Sequence, residues 1–281
     1  MIYLQGRSTQ KQNNRKKMTH QQILDKLHRR MAESMDSDLR RIIWSQMTYH
    51  NVADKKKVLE LLMIRWNCAL KGTKEEVTDN YKDMVILTLA VLLHRYGMVD
   101  EQITKDALAA IDSLNEKVVT SDAFFHQTAK MKEFLQNEPA SLTKRPVRPK
   151  ADVTFYRAQD VISFKQDGKY CAAYVHNNHQ NEYPVIEFYD FVSDKKPDMQ
   201  DLAGAKAKGI TRANGNMEKC KYMVFGLKDL PDYANQVHLI QAAVASPPDN
   251  EHLKQGDGVW EHSAIGSDII EIQKVIKGII K

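Results

Sequence analysis

The sequence predicts an α+β protein, in which an N-terminal helical bundle is followed by a β-rich C-terminal domain with a small twisted sheet or half-barrel. Three observations predict this fold class. Apolar residues recur at helical spacing through residues 19–138, a proline-rich basic linker follows at 139–152, and short β-rich runs bounded by turn residues fill 153–281. We expect the preceding residues 1–18 to be a disordered basic extension, because they are rich in Gln, Asn and Lys.

The helical half is predicted to contain six helices. Thr19 is a candidate N-cap for the first helix, and the Asp36-Ser37 pair is expected to separate it from the second. The segment 80–96 is apolar on nearly all sides in its middle, which indicates a buried central helix. The remaining predicted helices cover residues 39–47, 54–70, 100–116 and 122–137.

The second half changes to the shorter apolar runs of strands. Asp167-Gly168 lies between two such runs and favours a two-residue hairpin turn, since both central positions of that turn need φ > 0. The run at 185–192 is apolar on both faces, as in a strand that is covered on both sides. Predicted strands cover residues 161–165, 170–176, 185–192, 221–227, 238–245 and 259–262, and predicted helices cover 199–207 and 267–279.

The formal net charge of +5 is concentrated in two segments. Residues 1–17 contain five basic side chains and no acid, and residues 144–150 contain four more without an acid. The remainder of the chain is therefore mildly acidic. Basic tails and linkers of this kind are mostly solvated, so we do not expect nucleic acid to be the partner.

The sequence carries no pattern for export, membrane insertion or cofactor binding. Residues 1–17 lack the apolar core of a signal peptide, and the most apolar run, 84–93, is about half as long as a membrane span. Walker A and Gly-x-Gly-x-x-Gly motifs are absent from the sequence. We therefore expect a cytoplasmic protein that has neither a membrane partner nor a cofactor. Its three widely spaced cysteines are expected to be reduced thiols: Cys68, Cys171 and Cys220.

Two segments carry residue types that can do chemistry. His176 and His179 are three residues apart, but a metal site needs three or four converging ligands. This polar segment is therefore predicted to be a solvated hairpin loop. Cys171 is a candidate nucleophile only if a histidine approaches it in the fold, and its apolar neighbours favour a buried structural thiol.

Acidic residues are concentrated in the segment 182–201. They are interpretable as ordinary surface charge, as an acidic face that meets a basic partner, or as an acid–base pair if one member is desolvated. We predict an interface here, because complementary charge speeds association and Tyr is frequent at binding hot spots. The predicted interface residues are Glu187, Tyr189, Asp190, Asp194 and Asp198.

The β-rich half also carries a family resemblance. Its motifs are Gln159-Asp160-Val161-Ile162, Asp167-Gly168-Lys169-Tyr170, Ala172-Ala173-Tyr174-Val175, Glu187-Phe188-Tyr189-Asp190, the turn at 193–197 that leads into 199–202, and the late Trp260 with Ile265-Gly266. On these motifs the C-terminal half resembles bacterial polymorphic-toxin immunity proteins, specifically the β-rich group catalogued as immunity protein family 26. Gln159 stands where that family usually has Gly, and the helical half lies outside the resemblance.

The resemblance implies an antidote used in interbacterial competition. Such an immunity protein binds a cognate toxin domain in the cytoplasm and blocks it by stoichiometric occlusion, without catalysis. The acidic segment predicts that the toxin domain has a basic active-site cleft. Two alternatives stay open, namely a nucleic-acid-associated module that uses the basic segments and a glycohydrolase-type enzyme that reverses a toxin's modification.

Overall fold

The computed structural model describes residues 18–51, 54–116, 121–144, 146–148, 152–255 and 265–281. Within these ranges, seven helices come first: α1 (His20–Leu24), α2 (Arg29–His50), α3 (Lys55–Leu70), α4 (Asp79–Tyr96), α5 (Glu101–Glu116), α6 (Asp122–Phe125) and α7 (Thr128–Gln136). Eight strands and a last helix follow: β1 (Val161–Gln166), β2 (Lys169–His179), β3 (Tyr183–Phe188), β4 (Ile210–Thr211), β5 (Met217–Glu218), β6 (Tyr222–Phe225), β7 (Val237–Gln241), β8 (Ile265–Asp268) and α8 (Ile269–Ile280). The predicted α+β class is confirmed.

Capping side chains and apolar stripes explain the helices. Thr19 caps α1 as predicted, because its side chain accepts a hydrogen bond from the Gln22 N–H while the Gln22 side chain accepts one from the Thr19 N–H. Residues 87–94 of α4 are all buried, which confirms the central helix. No helix in the described ranges is long and apolar enough to cross a membrane.

The predicted break at Asp36-Ser37 is wrong, because α2 continues through it. The Asp36 carboxylate accepts a hydrogen bond from the Tyr96 hydroxyl (2.7 Å) and pairs with Arg40 one turn later in the same helix. These contacts occupy a side chain that would otherwise compete for backbone hydrogen bonds. The chain turns earlier instead, between α1 and α2.

Six of the described strands form one mixed sheet in the order β7-β1-β2-β3-β6-β8. β8 runs parallel to β6, and the other pairs are antiparallel. The β1–β2 hairpin turns at Asp167-Gly168, where both residues have positive φ, as predicted. β3 is buried from Pro184 to Phe188, which confirms a strand covered on both faces.

Three predictions in this half differ from the structure. Residues 199–207 form turns and isolated bridges instead of a helix, because the Asp198 carboxylate accepts the next backbone N–H groups and holds the chain in a turn. The polar segment 176–179 is the end of β2 instead of a loop. Residues 265–268 form a strand that the sequence did not predict, whereas the predicted strand 259–262 lies outside the described residues, as do residues 1–17.

One apolar core joins the two halves. α8 packs against β1, β2 and β6 of the sheet and also against α3. Side chains from both halves belong to the same buried cluster, among them Trp66, Phe164, Ile186 and Ile276. A smaller cluster around Tyr174 includes alternate residues of β2 and therefore covers the other face of the sheet. The interface between helices and sheet is thus part of the core.

Candidate functional site

A cleft of about 540 Å³ lies where the helical half meets the β8 edge of the sheet. One wall is the C-terminal half of α2. The other wall combines the end of β6, β8 and the first turns of α8. Arg148 from the predicted linker completes the rim. Ligand pockets typically have volumes of roughly 300–1,000 Å³, so the cleft is large enough to hold part of a partner.

An ion pair connects the two walls. The Arg41 guanidinium of α2 donates to the Asp268 carboxylate at 3.1 Å (Nη1 to Oδ2), and the Arg41 side chain is only 9% exposed. Asp268 also caps α8, because its side chain accepts a hydrogen bond from the Ile270 N–H. Burial raises the pKa of the Asp268 carboxyl, and the Arg41 guanidinium opposes that shift. The pair therefore fixes α2 relative to α8.

Three side chains form an aromatic and cationic rim: Trp44, Tyr49 and Arg148. The Arg148 guanidinium carbon lies 4.6 Å from the centroid of the Trp44 ring, within the range of a cation–π contact. The Tyr49 ring meets the Trp44 ring edge-on, with 6.2 Å between centroids. Tyr49 is 69% exposed and Trp44 is partly buried. Solvent, and hence a partner, can reach this rim.

The cleft carries mixed charge. Arg41, Arg148 and Lys274 provide three cations, and Asp268 and Glu271 provide two carboxylates. Arg41 and Asp268 offset each other. Among the described residues, neither Arg148 nor Lys274 has a carboxylate partner. Glu271 likewise has no cation partner among the described residues, so the unpaired charges of the cleft are two cations and one carboxylate. With the exposed aromatic surface beside them, they suit a partner that has apolar groups and an acidic group.

Two of the five predicted interface residues lie inside the protein. Glu187 is 1% exposed, is hydrogen-bonded to His176 (2.7 Å), and accepts a hydrogen bond from the Asn250 amide (3.1 Å). Tyr189 is buried in the smaller cluster on the far face of the sheet. In this structure neither side chain is on the surface.

The other three predicted interface residues are exposed. Asp190 pairs with Lys208 (2.6 Å) and Asp194 pairs with Lys169 (2.7 Å), while Asp198 accepts backbone hydrogen bonds within its own turn. Lysines therefore offset two of the three carboxylates, so this surface is mixed in charge and not uniformly acidic. The role of these residues in an interface stays a prediction.

The cysteine side chains are buried thiols. Burial raises the pKa of the Cys68 and Cys171 thiols to about 12, and it raises the pKa of Cys220 as well. The reactive thiolate is thus disfavoured, and the prediction of a buried Cys171 is confirmed. Within the described ranges, no group of three or more His, Cys, Asp or Glu side chains is arranged to hold a metal ion.

Sequence reasoning missed the cleft residues. Trp44 and Tyr49 lie outside the apolar stripe that buries Leu39, Ile42 and Ile43 of α2, and an aromatic residue off the stripe was the one available signal. The sequence identifies Arg148 only as one charge of the basic segment 144–150. Nothing local in the sequence indicates that it lies over Trp44.

Comparisons of the chain with protein-family models, with curated proteins and with solved structures found no match. The residues of the cleft and the motifs of the β-rich half are therefore the grounds on which a function can be proposed.

Proposed function

We propose that this protein is an immunity protein, which binds a cognate bacterial toxin domain in a stoichiometric complex and neutralises it without catalysis. Support comes from the strand-and-turn motifs within residues 160–188, which form the adjacent strands β1, β2 and β3 of the sheet. These are the motifs that resemble immunity protein family 26. On this proposal the protein acts in the cytoplasm, where it meets a toxin domain that has entered the cell.

The observation that carries the proposal is the rim of Trp44, Tyr49 and Arg148. Trp, Tyr and Arg are the residue types most enriched at binding hot spots, where truncation of a side chain to alanine costs the most binding free energy. Trp44 and Tyr49 stand on a helix of 22 residues, and Arg148 lies against the Trp44 ring. Trp44 is partly buried and already contacts Tyr49 and Arg148, so less side-chain entropy would be lost in the complex than for three isolated side chains.

Occlusion explains how such a rim would neutralise a toxin. A toxin molecule that stays free turns over many substrates, so the complex has to be tight and long-lived. A Kd of 1 nM corresponds to about −12 kcal/mol, and a few buried anchors can supply much of it. When the rim is bound to the toxin domain, the protein would cover the toxin's active site or stabilise a conformation of the toxin that cannot accept substrate.

Affinity capture followed by co-expression tests the proposal. The tagged full-length protein is the bait in its native cells at two salt concentrations, and mass spectrometry identifies what stays bound. We expect one stoichiometric protein that survives high salt, arrests growth when expressed alone, and becomes harmless when co-expressed with this protein. A partner whose toxicity is not suppressed, or a preparation that contains only nucleic acid, would contradict the proposal.

A paired substitution then tests the rim. Trp44→Ala combined with Tyr49→Ala should weaken toxin binding by at least about 100-fold and remove protection, because single hot-spot truncations typically cost 2 kcal/mol or more. Phe125→Ala is the matched control, since Phe125 is 54% exposed on α6 and lines no part of the cleft. Protection by the double variant equal to that of the control would place the contact elsewhere.

A nucleic-acid-associated module is the second candidate, favoured by one specific contact. Arg148 belongs to the basic segment 144–150 and lies over Trp44, and cations beside aromatic rings are how single-stranded nucleic acid is commonly bound. Salt separates the two candidates. Binding through several phosphates would fall steeply between 50 and 200 mM salt, about 1,000-fold or more for six contacts, whereas a hot-spot interface would change far less.

A further inference from the structure

We propose that the cleft receives an acidic segment of the partner protein, whose carboxylates pair with Arg148 and Lys274. This inference rests on the proposed function, because it specifies the surface that the toxin domain presents. It differs from the expectation drawn from the sequence, in which acidic residues of this protein meet a basic active-site cleft of the toxin.

The first step is to establish which cations of the cleft already have a carboxylate partner. Arg41 already donates to Asp268, so its charge is offset inside the protein. Arg148 and Lys274 line the same cleft, and neither has a carboxylate partner among the described residues. A carboxylate that enters the cleft would therefore meet cations that need not first give up a partner.

The second step is that one of these cations is held in place. The Arg148 guanidinium lies 4.6 Å from the centroid of the Trp44 ring, and the nearby Pro146 is buried. A guanidinium has five N–H donors, and a carboxylate can accept two of them in parallel hydrogen bonds. Arg148 is exposed, so its N–H groups are available to a partner while its carbon lies over the Trp44 ring.

The third step distinguishes an acidic peptide from a nucleic-acid strand as the occupant of the cleft. Glu271 lines the cleft within one turn of Lys274, and Asp268 lies at the start of the same helix. Arg41 offsets the charge of Asp268, whereas Glu271 has no cation partner among the described residues. A nucleic-acid strand brings a negative charge with every nucleotide, so several phosphates in the cleft would be repelled by Glu271. A peptide can place its carboxylates at Arg148 and Lys274, away from Glu271, and an apolar side chain beside Tyr49 and Phe225. The mixed charge of the cleft therefore favours an acidic peptide segment.

Binding of defined probes to the full-length protein tests this inference. The probes are three fluorescein-labelled molecules: a dodecapeptide in which Glu and Asp alternate with Leu and Ser, the same peptide with Gln and Asn in place of the acids, and a twelve-nucleotide oligo-dT. Fluorescence polarisation gives the affinities. We expect the acidic peptide to bind at least ten-fold more tightly than the amide peptide and than oligo-dT. Equal affinity of the two peptides, or tighter binding of oligo-dT, overturns the inference.

Charge-reversal variants locate the binding. Arg148→Glu with Lys274→Glu should weaken binding of the acidic peptide by ten-fold or more. Lys105→Glu with Lys130→Glu is the control, because it changes the net charge equally at two exposed residues on α5 and α7, which line no part of the cleft. An equal loss in the control would mean non-specific attraction and would also overturn the inference. All four substituted residues are exposed, so we expect unchanged melting temperatures.

The two proposals can fail separately. The peptide measurements do not depend on a toxin, whereas the capture and co-expression experiment does not depend on which charges line the cleft. If a toxin is captured and neutralised equally well by the Arg148→Glu, Lys274→Glu variant, the immunity function stands and the acidic-segment inference is wrong. If the acidic peptide binds at the cleft but no toxin is neutralised, the inference about the cleft stands and the immunity function is wrong.

Discussion

Arg65 shows what one buried side chain contributes to this fold. Its guanidinium donates to Asp38 (2.8 Å), to both oxygens of Asp232 (2.6 and 3.1 Å) and to Gln236 (3.2 Å). The three charged side chains of this network are each no more than 4% exposed. Arg65→Met should lower the free energy of unfolding by about 3–5 kcal/mol, since it leaves two carboxylates buried without their cation. Urea denaturation measures the change.

Arg29→Met is the matched control for that measurement. Arg29 forms an ion pair with Glu33 at 2.8 Å, but its side chain is 84% exposed, so we expect no measurable change in the denaturation midpoint. If both variants unfold at the wild-type midpoint, the Arg65 network is not what connects α3 to the segment around residue 232.

At the residue scale, the sequence predicted burial better than it predicted partners. It predicted a buried Cys171, which is confirmed, whereas the burial of Arg65 depends on partners that are far away in the sequence. Asp232 is 167 residues away along the chain, and no local pattern indicates that it would bind Arg65. Glu187 was predicted to lie at an interface but is buried. Its burial follows from the pattern of its strand, because a strand that is covered on both faces also buries its polar residues. In the structure His176 and Asn250 satisfy that carboxylate.

At the scale of single elements, two glycines allow two reasons for requiring glycine to be compared: a positive φ alone, and a positive φ together with a close steric contact. Gly97 ends α4 at φ +71°, where an added Cβ would lie 2.6 Å from the Ala140 carbonyl oxygen. Gly168 in the β1–β2 turn has φ +78°, and nothing lies within 4 Å of its added Cβ. Gly168→Ala should cost about 1–2 kcal/mol from the left-handed backbone alone, and Gly97→Ala should cost clearly more.

Thermal unfolding of the two variants measures that difference. Each protein is compared with the wild type by circular dichroism at 222 nm, and the shift in melting temperature is converted to a change in free energy. Equal shifts would mean that the segment 140–142 moves away from residue 97 at little cost, and that the close approach in the structure is not a constraint.

The elements themselves were largely predictable where the signal is local. A capping residue, a turn dipeptide and a helical stripe lie within a few residues, and α1, the β1–β2 turn and α4 all follow from such signals. β8 carries no such signal, because its residues are ordered by pairing with β6 and its sequence Ile-Gly-Ser-Asp has only one β-branched residue. Pairing between distant segments cannot be read from either segment alone.

At the scale of the whole molecule, the sequence predicted two domains separated by the basic linker, and those boundaries stay a prediction. The structure gives a reason to revise what they imply about folding. α3 packs on α8 and on β1, and the Arg65 network joins α2, α3 and the segment before β7. The cleft also takes its walls from both halves. Removal of either half would thus expose core side chains and dismantle the candidate site.

We therefore expect that a fragment of residues 152–281 does not fold by itself, in contrast to the independent domain that the linker suggests. Its sheet would lose the helices that cover α8 and β1, and Asp232 would lose the Arg65 guanidinium. The fragment should bind the dye ANS and unfold without a cooperative transition, whereas residues 18–281 should unfold cooperatively. A dispersed NMR spectrum together with a sharp thermal transition of the fragment would instead establish that the sheet and α8 are a domain. In that case the helical half would be a separate domain that supplies one wall of the cleft. Binding through the rim would then depend on the stability of the interface between the two halves.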